Sequence, residues 1–146
     1  RLTGRQGIAV AVTSGPGDQE VGAARRILAQ TAGPIIDLVG QTTLGELAAL
    51  LERAQLFIGV DSAPMHMAAA LGVPVVALFG PSGEHDWGPW GDGHTVLSSP
   101  YLCRPCGKDG CLGSKRSDCL EAIPARAVIQ AVEAVLARPP SPAMRG

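Results

Sequence analysis

Two stretches of the chain hold residue types whose spacing could do chemistry. The first is Asp61-Ser62-Ala63-Pro64-Met65-His66, directly after the apolar run Leu56 to Val60. Pro64 suits the first turn of a helix, where its missing N–H is no loss. A strand that ends on Asp61 and Ser62 and turns at once into a helix offers free backbone amides and the positive end of a helix dipole. That arrangement binds a phosphate or diphosphate. The small side chains of Ser62 and Ala63 let such an anion approach the backbone. Asp61 would repel phosphate, so it suits the hydroxyls of an attached sugar, or it caps the helix with no ligand at all. His66, on an almost wholly apolar helix, reads as a hydrogen-bonded core histidine or as a catalytic group, and Met65 and Met67 read as core filler.

The second stretch is Cys103, Cys106, Cys111 and Cys119, spaced C-x2-C-x4-C-x7-C, with Pro105, Gly107, Gly110 and Gly113 supplying turns. Four soft ligands in a short loop fit a structural zinc or an iron–sulfur cluster, while disulfides and free thiols stay open. The turns suit a self-contained clip standing apart from the phosphate site. Between the two stretches, Phe79-Gly80-Pro81-Ser82 should border the same pocket, with Gly80 allowing an unusual backbone angle or a close ligand approach. Glu84, His85, Asp86 and Trp87 bring a histidine and two carboxylates together. No helical spacing aligns them, so an edge contact to a substrate is favoured over metal or acid–base work.

These groups need elements to aim them. Gly7 to Thr13, Ile35 to Val39, Leu56 to Val60 and Val73 to Phe79 are short apolar runs rich in Val and Ile, which reads as buried strands. Thr95 to Leu97 is a brief last one. Helical spacing of apolar residues marks Asp18 to about Ala32, and Thr43-Leu44-Gly45-Glu46 fits a capping box opening the next helix. Ala63 to Leu71 has no polar face and reads as a buried helix, and Pro124 to Ala137 as an amphipathic one. Residues 80–94 and 98–120 read as loops. Strands alternating with helices specify an α/β fold, a Rossmann-like doubly wound parallel sheet with its ligand beyond the carboxyl ends of the strands.

The 146 residues suffice for one domain with a single core. Net charge is -1, which gives no electrostatic footprint for nucleic acid. Charged residues make up 17%, below the usual ~25%, alongside 46% hydrophobic residues, so the chain is expected to fold. No apolar stretch reaches the roughly 18 residues that span a bilayer, and Arg1 to Arg5 leads into no signal peptide, so a soluble domain is expected. The start without Met reads as a fragment, and residues 138–146 as a disordered tail.

The wording GVDSAPMHMAAALGVPVVALFGPSGEHDWGPWG, with LVGQTTLGELAALLERAQLFIG before it and CRPCGKDGCLGSKRSDCLEAIP after it, resembles the glycosyltransferase family 9 heptosyltransferases of lipopolysaccharide core synthesis. The likeness is greatest to heptosyltransferase III-like members. It implies that residues 1–137 form the donor-binding, carboxy-terminal half of a GT-B enzyme whose amino-terminal acceptor domain lies outside this chain. By that resemblance Asp61 is the catalytic-site residue that contacts the heptose of ADP-heptose, and the backbone at Ser62, Ala63, Met65 and His66 cradles the diphosphate. Thr42, Thr43 and Leu44, after Gln41, lie along the adenine. Glu20, in preference to Asp18, holds the ribose hydroxyls, and Gly80 and Pro81 border the donor.

The resemblance further implies an inverting reaction that needs no metal or other cofactor for catalysis, and a lipopolysaccharide core acceptor. It implies work at the cytoplasmic face of a Gram-negative inner membrane, with peripheral membrane association. The zinc at the four cysteines would be structural only. Two other readings stay open: another GT-B or nucleotide-sugar enzyme, since an anion cradle does not name the sugar, and a non-catalytic nucleotide-binding or interaction module built around the cysteine loop.

Overall fold

Parallel strands joined by helices run through the whole of the computed structural model, which describes residues 7–138. The readings for Arg1 to Arg5 and for the tail from residue 139 onward lie outside the described residues. Length suggests one core, but the chain gathers into two compact units, residues 1–47 and 48–146, each with its own sheet.

In the first unit, β1 (Ala11–Ser14) pairs in parallel with β2 (Ile36–Val39), and α1 (Asp18–Ala29) crosses between them and packs on both. The helix stops before Ala32 because the Thr31 hydroxyl donates to the Ile27 carbonyl, 2.8 Å away, and Gly33 then takes a φ of 118°. Helix α2 (Leu44–Glu52) opens on the expected capping box. The Thr43 amide and hydroxyl each donate to Glu46 Oε2 at 2.8 Å, and the Glu46 amide donates back to Thr43 Oγ1 at 3.3 Å.

The second unit runs β3 (Phe57–Val60), α3 (Ala63–Ala70), β4 (Val75–Phe79), α4 (Glu84–Trp87), β5 (Thr95–Ser98), a single 3-10 turn at Cys111–Gly113, α5 (Asp118–Glu121) and α6 (Ala125–Leu136). Its sheet has the order β3-β4-β5, all parallel. The middle strand carries the core. Val75, Val76, Ala77 and Phe79 are wholly buried, and both α3 and α6 pack on β4. Val132 and Val135, three apart, are the buried pair that α6 contributes.

Two expectations of burial are corrected. Only β4 is buried on both faces; Ile36, Ile58 and Val60 on strands at sheet edges are exposed, because an edge strand has one neighbour and less cover. Helix α3 is not buried all round either. Met65, Ala68 and Ala69 face the core, while Ala63, His66 and Ala70 form an exposed stripe, since the helix packs on β3 and β4 from one side. One element within residues 80–94 was invisible to periodicity: α4 is a single turn between Gly83 and Gly88, too short to repeat a pattern.

Replacing Phe79 by Ala is expected to cost about 3–5 kcal/mol, a large part of any domain's stability, and chemical denaturation measures it. Glu46 is held below its ordinary value of 4.5 by the Thr43 amide first and the Thr43 hydroxyl second. A depressed carboxylate contributes stability above its unfolded value and loses it as pH falls through the lower folded value. The melting-temperature gap between wild type and Glu46→Gln should therefore be widest near neutrality and close in acid below about pH 4.

Candidate functional site

The site in the second unit follows from strand register. Val60 lies opposite Leu78 in the parallel pair. Asp61-Ser62 and Phe79-Gly80 therefore continue side by side at the carboxyl edge, on strands about 4.8 Å apart. Helix α3 starts at once. Ser62 takes its N-cap position in extended backbone, yet its hydroxyl donates back to the Val60 carbonyl at 3.0 Å, and no side chain caps the helix. Neither Asp61 nor Ser62 therefore caps the helix through its side chain. The amides of Met65 and His66 already donate to the Ser62 carbonyl, at 3.0 and 3.3 Å, and Pro64 has no N–H. Of the cradle residues read from the sequence, Ser62 and Ala63 thus supply the amides that α3's own ladder leaves open.

His66 is not a core histidine. It stands on the exposed face, with Nε2 3.5 Å from Asp61 Oδ1, and the two side chains are 43% and 24% exposed. That separation is too long for a strong hydrogen bond. A carboxylate acceptor and an imidazole thus share the mouth of the site, while the Met65 side chain is fully buried as core filler.

Next to them, the Gly80 to Gly83 loop is held from outside. Arg104 is 9% exposed and spreads its guanidinium over three partners: Nε donates to the Gly80 carbonyl at 2.6 Å, Nη1 to the Ser99 carbonyl at 3.0 Å, and Nη2 to Glu84 Oε2 at 2.7 Å. The Cys106 and Gly107 amides donate to the Pro81 carbonyl at 3.0 and 2.9 Å. Glu84 is taken up by this network, with the Ser98 hydroxyl 3.0 Å from its Oε1. Its carboxyl is held below the usual range, first by its own backbone amide and then, against partial burial, by Ser98 and Arg104. His85, Asp86 and Trp87 lie exposed.

Gly80 does not take the unusual backbone angle expected of it. Its φ is not left-handed, and a Cβ there would sit 3.0 Å from Leu120 Cβ and 3.7 Å from Cys119 Sγ, so its smallness admits α5. No motif pointed to Arg104, because its partners lie 5, 20 and 24 residues away in sequence.

In the first unit, the Glu20 carboxylate folds back against Gly15 in the turn after β1, where a Cβ would collide with it. Asp18 is exposed at the start of α1. Thr43 spends its polar groups on Glu46, Thr42 is half-buried, and the Leu44 side chain is 70% exposed, an apolar surface suited to a flat base.

All four cysteines line one cavity of about 180 Å³, together with Pro81, Lys108, Gly110, Leu112 and Ser117. They are free thiols, and among the described residues no three His, Cys, Asp or Glu groups are arranged to hold a metal ion. Burial pushes the Cys119 thiol up, and nearby Cys111 and Cys103 add to that rise against the opposing pull of the Leu120 amide and Arg104.

A parallel α/β unit with a helix starting at the carboxyl edge of its sheet belongs to the Rossmann-like class of folds. The model of glycosyltransferase family 9 (heptosyltransferase) matches residues 1–116, and the chain belongs to that family. It is 45% identical over 87 residues to lipopolysaccharide heptosyltransferase 3 of Escherichia coli, covering 58% of this chain and 25% of that protein. It is 30% identical over 112 residues to lipooligosaccharide heptosyltransferase 2 of Campylobacter jejuni, covering 76% of this chain and 35% of the relative. The family 9 glycosyl transferase from Veillonella parvula superposes with a TM-score of 0.73 at 32% identity, over 91% of this chain and 38% of that one. ADP-heptose lps heptosyltransferase II of E. coli gives 0.72 at 25% identity, over 90% and 37%. These neighbours have the GT-B fold. The chain spans between a quarter and two-fifths of their lengths.

The exposed thiols Cys103 and Cys106 should be alkylated by iodoacetamide well before buried Cys119, as time-resolved peptide mass spectrometry would show. Equal rates at all four would contradict the packing of α5.

Proposed function

We propose that this chain holds the nucleotide-sugar donor of a heptosyltransferase that builds the lipopolysaccharide core. The observation that carries the reading is the uncapped amino end of α3, set at the carboxyl edge of β3 beside Asp61, in a segment the family match covers. The donor is ADP-heptose. Its diphosphate lies against the start of α3, where the dipole and the Ser62 and Ala63 amides meet negative charge. Asp61 accepts hydrogen bonds from the heptose hydroxyls, and Gly80 and Pro81 border the diphosphate and the sugar.

Catalysis on this reading rests on positioning and on stabilising the charge that grows on the departing ADP, which a fixed dipole does without a divalent ion or other cofactor. The lipopolysaccharide core acceptor, inversion at the transferred carbon, and work at the cytoplasmic face of the inner membrane belong to the same proposal.

Calorimetry of the chain with ADP, UDP and ADP-heptose tests it. ADP should bind at least about ten-fold more tightly than UDP, and ADP-heptose more tightly than ADP. Asp61→Asn should erase the advantage of ADP-heptose and leave ADP affinity within about two-fold. Equal affinity for ADP and UDP would point to another nucleotide-sugar donor. Loss of ADP binding in Asp61→Asn would make Asp61 a support of the helix end and not a sugar contact.

A further inference from the structure

We infer that Arg104 is a positioning residue for the donor site: from within the cysteine loop, it fixes the Gly80 to Gly83 loop against which the diphosphate and sugar lie. The inference rests on the donor reading above and assigns that site's shape to a residue far from it in sequence. The loop it holds has little structure of its own. It leaves β4, runs through two glycines and a proline, and enters the single turn of α4. Both carbonyls at its start, those of Gly80 and Pro81, are taken by the 104–107 segment, through the Arg104 guanidinium and the Cys106 and Gly107 amides. The contact continues in packing, since a Cβ on Gly83 would stand 3.3 Å from Pro105 Cβ, and Leu120 closes on Gly80.

Arg104 suits this work in a way that no other side chain does. Its planar fork reaches the Gly80 carbonyl, the Ser99 carbonyl and the Glu84 carboxylate at once, so it ties the ends of β4 and β5 to the start of α4. Lys offers one ammonium on a flexible stem and cannot hold three divergent acceptors in fixed directions. The site is also nine-tenths shielded, with side-chain exposure of 9%, where hydrogen bonds are stiffer than in water and an unpaired acceptor is costly. Without the fork, the Gly80 carbonyl loses its donor, Glu84 keeps only Ser98 and the Ser99 carbonyl only the Tyr101 amide, and the loop is free to relax from its place beside Asp61 and Ser62. The cysteine loop is then no clip standing apart from the site but the outer wall of it.

The test is titration of wild type, Arg104→Lys and Arg104→Gln with AMP and with ADP, beside circular dichroism to confirm folding. The Gly80 loop faces the diphosphate side, so ADP affinity should fall about ten-fold in both variants while AMP affinity stays within about two-fold. A merely structural role would move both ligands together or neither. Wild-type ADP affinity in either folded variant overturns the inference, as does a parallel loss of AMP and ADP. If Arg104→Gln does not fold, Arg104→Lys, which keeps the charge, carries the decision. Failure of the wild-type chain to bind ADP removes the donor reading itself and is told apart by needing no variant.

Discussion

Parallel pairing of β3 with a fully buried β4 sets the position of every candidate group in the second unit. Because β4 is covered on both faces, a one-residue slip would exchange Val75, Val76, Ala77 and Phe79 between two close-packed faces and misfit both. Val75, Val76 and Phe79 each stabilise by about 1.5–3 kcal/mol when buried. Fixing β4 fixes β3 beside it, and the two strands then release Asp61-Ser62 and Gly80-Pro81 next to each other. The chemistry of the site is local, but its placement is a consequence of core packing several residues upstream.

What the sequence made legible follows from the range of the interactions involved. The capping box at Thr43 and Glu46 spans three residues and forms as expected. The strand, turn and helix around Asp61 read correctly for the same reason, because Pro64 and the apolar runs signal within a few positions. His66 was misjudged because α3 is apolar by composition while only one of its faces meets the sheet. Alanine is small enough to sit on either side, so composition could not say which face is covered. The packing of Gly80 was not legible because its close neighbour is Leu120, 40 residues on in sequence, and no local pattern carries that distance.

The network around Arg104 shows the same limit from the other side. A lone arginine between two cysteines reads as part of a metal-binding or disulfide loop, and the four thiols do line one cavity. The strongest polar contacts in that region nevertheless run from Arg104 to the loop after β4 and to Glu84. The acid cluster at Glu84, His85 and Asp86, which suggested chemistry by residue type, is divided by the fold: Glu84 turns to structure and the other two to solvent.

The central claim is that the amino end of α3 and the loop after β4 together receive the diphosphate of a nucleotide sugar. Amide chemical-shift mapping of the isotope-labelled chain during ADP titration tests it most directly. The account predicts that the largest changes fall on the amides of Ser62 to His66 and of Gly80 to Gly83, Pro64 and Pro81 having none. Saturable shifts confined to other residues, with these amides unmoved, would contradict it.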